Sequence, residues 1–363
     1  MKIALIHDYI TSWGGAEKTF RTLIQTFNEA QVYTLFYDPE IKEKFFPKIK
    51  IRTSFLQKFP RILKKNYKFL LPFLPIAAES IDLREFDLVI SSSFSFAKGI
   101  ITKPKTKHIC YCYTPTRYLW LDEKKQSGVI WKNPISKALL HYLRIWDRHA
   151  SERVDKFIAI SNIVKKRIKK YYKKNSDIIY PPIDLANVKF PVRDTKPQNE
   201  FYLIVSQLRK YKRIDLAVEA FNKLGLNLVI IGEGPEKKKL QRMAKNNIKI
   251  LGWQSDEVVN KHYINCAAFI FPAEEDFGMA PVEAMAFGKP VLAFDRGGAR
   301  ETIIKEETGE FFTWQNTAVL ADGVRRIRAN LPKYNSQKIR ASAQKFSRKR
   351  FEKEFKEYVQ NLR

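Results

Sequence analysis

Cysteine is scarce in this 363-residue chain. Its three, Cys110, Cys112 and Cys266, make no even framework for disulfides, so a reducing, cytoplasmic setting is expected. The five histidines show no zinc-ligand spacing and the Cys-Tyr-Cys pair reads as buried strand, so no metal site is expected. No stretch of about eighteen residues is apolar and free of charge, so no spanning helix is expected. The opening MKIALIHDYI meets an acid and then Gly-Gly at once, which reads as a first strand and not as a signal peptide. Acids are also short: 38 stand against 66 lysines and arginines, a net charge of +28. Such an excess attracts polyanions, and nucleic acid, an anionic membrane surface and a phosphorylated substrate all qualify; a solvated lysine-rich surface would account for part of it.

What is present is alternation. Short apolar or aromatic runs (2–8, 31–37, 86–93, 107–113) are separated by helical stretches (17–28, 136–153, 161–172). Residues 191–200, PVRDTKPQNE, are polar with two prolines and read as a linker. A second alternation follows, with strands at 201–208, 226–232, 248–253, 267–272 and 290–295 and helices between them. A charged amphipathic helix over about 338–361 closes the chain. Strands alternating with helices imply parallel sheets covered on both faces. The expected fold class is therefore α/β, two Rossmann-like domains (1–190 and 201–337, with 338–363 packing back toward the first), with the active site in the cleft between them.

Two turns could receive a diphosphate. TSWGGAEKT places Gly14 and Gly15 between a strand and a helix, where backbone amides and the positive helix end favour phosphate; a tight strand-to-helix turn would use the same glycines. IIGEGPEKK offers Gly232 and Gly234 but lacks the third glycine and the distant acid of a dinucleotide fingerprint, which argues against an NAD enzyme. SQLRKYKRID clusters Arg209, Lys210, Lys212 and Arg213 at a strand end, either to neutralise a diphosphate or as a solvated charge run.

The segment EEDFGMAPVEAMAFGKPV, from Glu274 to Val291, sets acids in a small apolar context. Pro281 suits a first helical turn and Gly288 a helix stop, which would put Glu283 in that first turn, where the helix dipole alone would stabilise it. Glu275 lies at a sheet edge beside the amides of Gly278, Met279 and Ala280. Ionised carboxylates only accept hydrogen bonds. Two of them around open amides suit a ligand carrying both hydroxyls and phosphate, such as a sugar nucleotide, with Glu283 on the ribose and Glu275 on the sugar.

These residues carry a resemblance. Glu275 and Glu283 bracket seven residues, and the stretch EEDFGMAPVEAMAFGKPVLAFDRGGARETI, with YKRIDLAVEAFNKL, LVIIGEGPE, DRHASERVDKFIAISNIVKKRI, IYPPID, HDYITSWGGAEKTF and SSSFSFAKGI, resembles the retaining family 4 glycosyltransferases of GT-B fold over nearly the whole chain. Within them it looks most like bacterial GDP-mannose-dependent mannosyltransferases of O-antigen and exopolysaccharide assembly. The resemblance implies that Gly14 and Gly15 face the diphosphate, and that Lys212 pairs with the phosphates. It implies that Glu275 touches the donor sugar, that Phe277 to Ala280 line it, that Glu283 holds the ribose and that Trp253 and Gln254 pass the base. It implies retaining chemistry without a metal or other cofactor, the leaving diphosphate assisting attack from the same face. Two positions depart from the family pattern. Gln207 stands where an arginine is common, with Arg209 as a replacement charge, and Tyr113 stands where many relatives carry histidine near the reacting sugar. Tyrosine can donate a hydrogen bond but is no base near neutral pH.

Acceptors bind the N-terminal domain in this fold. TSFLQKFPRILKKNYKFLLPFLPIAAES (53–80) mixes apolar and basic residues, as a membrane-surface segment or a core helix pair would. The resemblance implies a polyprenyl-diphosphate-linked acceptor; the segment and the net charge lead us to expect an enzyme held peripherally on the cytoplasmic face of the plasma membrane, and Lys98 and Arg117 are expected contacts to an acceptor phosphate. The competing readings are a UDP-sugar donor, a sugar-nucleotide epimerase and a nucleic-acid-binding protein. The last rests on charge alone, and the paired carboxylates speak against it, so nucleic acid is not expected as a partner.

Overall fold

The computed structural model describes residues 1–121, 134–184 and 200–362. It divides into two units, Met1–Tyr180 with Phe351–Arg363, and Pro181–Arg350. Residues 191–199 of the expected linker lie outside the described residues.

The first unit is built on seven parallel strands: β1 (Ile3–His7), β2 (Gln31–Thr34), β3 (Ile51–Thr53), β4 (Leu88–Ser93), β5 (Lys107–Cys112), β6 (Lys156–Ala159) and β7 (Ser176–Ile178). Their order is β3-β2-β1-β4-β5-β6-β7. The second unit has β8 (Phe201–Val205), β9 (Asn227–Ile231), β10 (Ile248–Gly252), β11 (Ala268–Phe271), β12 (Val291–Phe294) and β13 (Gly309–Phe312), in the order β10-β9-β8-β11-β12-β13. Both sheets are parallel and doubly wound, as the alternation predicts. β3, β6, β7 and β13 come in addition to the strands expected from the sequence.

In each sheet the winding direction reverses once, between β1 and β4 and between β8 and β11. Connections leave these neighbouring strands in opposite directions, which opens a crevice at their carboxyl ends. In the first unit the crevice edge is polar although buried. Ser92 Oγ lies 3.0 Å from His7 Nδ1 and 2.9 Å from the Tyr113 hydroxyl, and Ser91 Oγ lies 2.8 Å from His108 Nε2. The serines of β4 thus satisfy polar groups that a purely aliphatic strand would leave unpaired.

The expected closing helix is two helices, Ser336–Ala343 and Arg348–Gln360, with a turn at Gln344–Phe346 between them. Packing imposes the break. Phe346 meets Phe277 in the second unit at 5.4 Å between ring centroids, whereas Phe351 meets Tyr111 at 5.7 Å and Phe355 meets Phe27 at 5.9 Å in the first. One straight helix would have to serve two cores. The segment 53–80 holds two short α-helices, Arg61–Lys65 and Leu74–Glu79, with tighter 3-10 turns at Phe55–Lys58 and Tyr67–Phe73. Leu56, Leu70, Leu71, Leu74, Ala77 and Ala78 enter the first core.

Lys98 anchors this side of the unit from within. Its side chain is 2 % exposed, and its ammonium donates to Asp147 Oδ1 at 2.5 Å, to the Ser95 carbonyl and to Thr116 Oγ1 at 3.3 Å. Asp147 also accepts from Thr116 Oγ1, Trp120 Nε1 and the Tyr172 hydroxyl at 2.7, 2.6 and 2.8 Å. The expectation of Lys98 as an acceptor contact is therefore corrected: its three donors are satisfied inside the fold and no face is left for a ligand. Removing one member of a buried pair strands the other charge. Asp147→Ala is expected to destabilise the first unit by about 3–5 kcal/mol in urea unfolding of the full chain.

Candidate functional site

The second unit's crevice is framed by two loops. From β8 the chain leaves through Ser206–Arg209 into a tight turn at Lys210–Lys212, and Arg213 then takes φ +52° before the helix Ile214–Leu224. A non-glycine residue in this left-handed region costs about 1 kcal/mol, and here it ends the turn and starts the helix. From β11 the chain leaves through Pro272–Phe277 to Gly278, φ +86°, and the helix Met279–Ala286. Across the crevice the Lys212 ammonium donates to Glu275 Oε1. Burial works against the charged lysine, but the Glu275 carboxylate, with help from Tyr211, outweighs it and raises the Lys212 pKa. The ammonium also sits 5.0 Å from the Tyr211 ring centroid. Lys212 therefore stays charged and held in place.

The Glu275 backbone is braced by the loop after β12, a role that sequence reasoning missed. Gly298 N–H donates to the Glu275 carbonyl at 2.8 Å. A Cβ at Gly297, φ +70°, would lie 2.2 Å from that carbonyl oxygen, and one at Gly298 would lie 2.3 Å from Phe277 Cα. Only glycines admit this approach. The GG of DRGGAR was the available signal.

Gly278, Met279 and Ala280 occupy the start of the helix, and no side-chain cap hydrogen bond is formed there among the described residues. The first amides of a helix lack intrahelical partners, so this end offers donors to an anion. Phe277 is buried beside it. Glu283 is moved by the structure: the helix begins at Met279, so Glu283 lies in the second turn, not the first, and helix-end electrostatics no longer explain it. Its Oε2 accepts from the Tyr263 hydroxyl at 3.2 Å. Gly288, φ +74°, does end the helix, its N–H donating to the Met285 carbonyl at 2.8 Å.

The other second-unit candidates lie on neighbouring loops. Arg209 Nε donates to Gln207 Oε1 at 3.1 Å, so the charge beside Gln207 is tied to it. Trp253 is exposed, its N–H donating to Glu233 Oε1 at 3.2 Å, and the Gln254 amide caps the Leu251 carbonyl at 2.9 Å. Gly232 is corrected. Its N–H is taken by the Gly252 carbonyl at 2.8 Å, and a Cβ there would lie 1.8 Å from the Ser206 carbonyl oxygen, so it allows two loops to touch and brings no amide to a ligand.

In the first unit, Gly14 caps and Gly15 starts the helix Gly15–Thr26. Glu17, three positions past the cap, turns back to accept from the amides of Gly14 and of itself, half of a capping box. Asp8, buried at the end of β1, accepts from the amides of Phe94, Ser95 and Ala97 at 2.6, 2.9 and 2.6 Å and so fixes the loop after β4. Burial raises the Asp8 pKa against the pull of those amides and of Lys98. The Tyr113 hydroxyl donates to the Ala16 carbonyl at 2.9 Å, and burial pushes its pKa up, so it remains a neutral donor. Arg117 begins the short turn Arg117–Trp120.

Glu17 makes stability depend on pH. Burial lifts its pKa from 4.5 to about 7. The unfolded chain releases this proton first, so the contribution is present below 4.5 and is lost as pH rises through about 7. His7, lowered by burial to about 3, acts oppositely, losing stability as pH falls below 6.5. Comparison of wild type with Glu17→Gln isolates the first effect: the variant's relative stability is expected to rise by on the order of 3 kcal/mol between about pH 5 and about pH 8. Gly297→Ala is expected to displace Glu275 and lower nucleotide affinity in calorimetric titration while leaving the circular dichroism spectrum unchanged.

Comparison with known proteins agrees with this architecture. Residues 13–187 match the model described as Glycosyltransferase Family 4, and 188–345 match Glycosyl transferases group 1. The chain is 25% identical to an uncharacterized glycosyltransferase of Methanocaldococcus jannaschii over 85% of this chain and 83% of that one. It is 24% identical to the alpha-1,3/1,6-mannosyltransferase of Candida glabrata over 84% and 78%. Among solved structures, Anabaena HepE in complex with UDP superposes with a TM-score of 0.72 at 18% identity, covering 99% of this chain and 100% of that one. A family 4 model and a group 1 model laid end to end over two doubly wound parallel sheets leave one conclusion: the chain belongs to the family 4 glycosyltransferases of GT-B fold and is a hexosyltransferase.

Proposed function

We propose that the enzyme transfers a hexose from a nucleoside diphosphate sugar to a lipid-linked acceptor, with retention of configuration and without a metal or other cofactor. The observation that carries this reading is the Lys212–Glu275 pair, set between the β8 and β11 loops beside the uncapped start of the helix Met279–Ala286. A diphosphate takes the ammonium and the helix amides, and sugar hydroxyls take the carboxylate. Arg209 adds charge near the phosphates, Trp253 and Gln254 border the base, and Glu283 accepts from the ribose.

In the reaction the bond between the anomeric carbon and the phosphate oxygen breaks, and the acceptor oxygen bonds to that carbon on the same face. The acceptor proton passes to the departing phosphate oxygen. Lys212 stabilises the charge gathering on the leaving group, the type of electrostatic effect that contributes most in such sites. Tyr113 is no base for such a step, being neutral and already donating to the Ala16 carbonyl.

Mannose is the leading sugar, supported by the named activity of the Candida glabrata relative, and GDP-mannose is the donor we propose for it. A UDP-sugar is the second reading, supported by the UDP bound to Anabaena HepE. The acceptor is a polyprenyl-diphosphate-linked glycan of cell-surface synthesis, met on the cytoplasmic face of the plasma membrane. Among the described residues no helix is long and apolar enough to cross a membrane, which suits peripheral attachment. A hydrolysis and transfer screen with GDP-mannose, UDP-glucose and UDP-galactose is expected to show turnover with GDP-mannose above the others; faster turnover with a UDP-sugar replaces the first donor with the second. Lys212→Ala and Glu275→Ala are each expected to lower transfer by about 10²–10³-fold with the melting temperature retained. Wild-type turnover in either variant overturns the roles given to the pair.

A further inference from the structure

The loops that leave the carboxyl edge of the second sheet expose large apolar side chains of one kind. Tyr211 follows β8, Trp253 follows β10 and Trp314 follows β13, and they are 42, 52 and 68 % exposed. Among the described residues no large aliphatic side chain is exposed on these loops. A lipid or protein contact would mix in leucine and isoleucine, whereas aromatic rings alone suit a ligand that presents a flat face. Tyr211 lies against the Lys212 ammonium, and Trp253 borders the proposed base. Trp314 is different: among the described residues its indole has no hydrogen-bond or ring partner. Tryptophan is highly buried on average, so its place in water needs a reason.

The Trp314 loop is tied down on both sides. Gln315 Nε2 donates to the Pro272 carbonyl at 2.9 Å. Pro272 follows β11, and β12 stands between β11 and β13, so the loop crosses the end of β12 and reaches the segment that carries Glu275. Asn316 N–H donates to the Trp314 carbonyl at 2.8 Å, and Asn316 Oδ1 accepts from the Val319 amide at 2.9 Å, capping the helix Thr317–Asn330. At the end of β12 itself Arg300 donates twice to Asp295, from Nε at 2.7 Å and from Nη2 at 2.9 Å, and the pair is partly open to solvent. Neighbouring strands lie about 4.8 Å apart, so the β13 loop leaves the sheet roughly 10 Å from the β11 loop, the reach of a disaccharide. With the base assigned to the β10 loop, the diphosphate to the β8 loop and the transferred sugar to the β11 loop, the β13 loop borders what lies beyond that sugar.

We propose that Trp314, together with the Asp295–Arg300 pair, forms a subsite for a pyranose ring of the acceptor glycan. The indole face, which carries negative charge density, stacks on the apolar C–H face of the ring. Hydroxyls at the ring's rim donate to the Asp295 carboxylate and accept from the Arg300 guanidinium. The stack recognises a ring face more than a pattern of hydroxyls, so several hexoses fit it. The proposal rests on the reading of Glu275 as the partner of the transferred sugar, and it gives the glycan a foothold on the second unit.

Calorimetric titration of free oligosaccharides into the full chain tests it, with the protein saturated first with GDP and then, separately, with UDP. The probes are mannotriose, maltotriose and galactobiose. At least one is expected to bind the wild type. Trp314→Ala is expected to weaken that binding about tenfold or more and Trp314→Phe to restore most of it. Arg300→Ala is expected to weaken it about fivefold. The melting temperature and the affinity for nucleotide are expected to stay at wild-type values in all three variants. No binding of any probe by the folded wild type overturns the proposal, as does wild-type binding by Trp314→Ala. An equal loss of nucleotide affinity in Trp314→Ala also overturns it, because the tryptophan would then shape the nucleotide site. Titration with nucleotide alone reads the donor site separately. Sugar binding that depends on Trp314 in a chain that binds neither nucleotide sinks the donor reading and keeps the subsite, and nucleotide binding without sugar binding sinks the subsite alone.

Discussion

The ammonium of Lys212 and the carboxylate of Glu275 sit where the second sheet reverses its winding, and the geometry of the candidate site follows from holding them there. Each alone would be a charge drawn partly out of water, which is costly. Together they neutralise one another, and the lysine is kept protonated. The surrounding loops are shaped to present the pair: a left-handed Arg213 closes one turn, Gly278 opens a helix, and Gly297 and Gly298 press against the Glu275 backbone. A ligand with phosphate at one end and hydroxyls at the other can draw on both charges at once. A ligand with only one kind of group would leave the other charge exposed to its partner alone.

The first unit treats charge differently. Asp8, Glu17 and the Lys98–Asp147 pair are all enclosed, and each ties neighbouring segments together: Asp8 the amides after β4, Glu17 the Gly14 turn, and Lys98 with Asp147 the Ser95 carbonyl and the side chains of Thr116, Trp120 and Tyr172. In a chain with a net charge of +28 these interior ionic groups are few, and the excess lysine and arginine lies outside. The interior groups order the edge of the sheet, and the surface supplies long-range attraction for anionic partners.

Much of the architecture was legible beforehand. Two alternations of apolar runs and helical stretches announced two parallel sheets, and the long match around Glu275 announced the family. Residue roles were less legible where the same residue type serves two purposes. Gly232 looked like part of a phosphate turn and proved to be a contact between backbones, because a glycine that admits a ligand and one that admits a carbonyl read alike. Lys98 looked like a surface cation until Asp147, far off in sequence, was found against it. Glu283 shifted by a turn because a helix start depends on the φ of Gly278, which residue type only permits. The closing helix was drawn unbroken because its amphipathic pattern says which residues are buried and not which core buries them.

Residue chemistry and spacing by themselves determined that the chain is α/β, that its sheets are parallel, that it lacks the cysteines for a disulfide framework, and that lysine, amides and carboxylates converge on strand ends. These follow from local periodicity and composition, which act over a few residues. Only the tertiary structure decided that Lys212 and Glu275 face one another, that Gly297 and Gly298 brace them, that Lys98 is enclosed, and that the Trp314 loop crosses the end of β12 to reach Pro272. Each of those depends on which strand lies beside which. Strand order is set by packing between distant segments, and neighbours along the chain do not encode it.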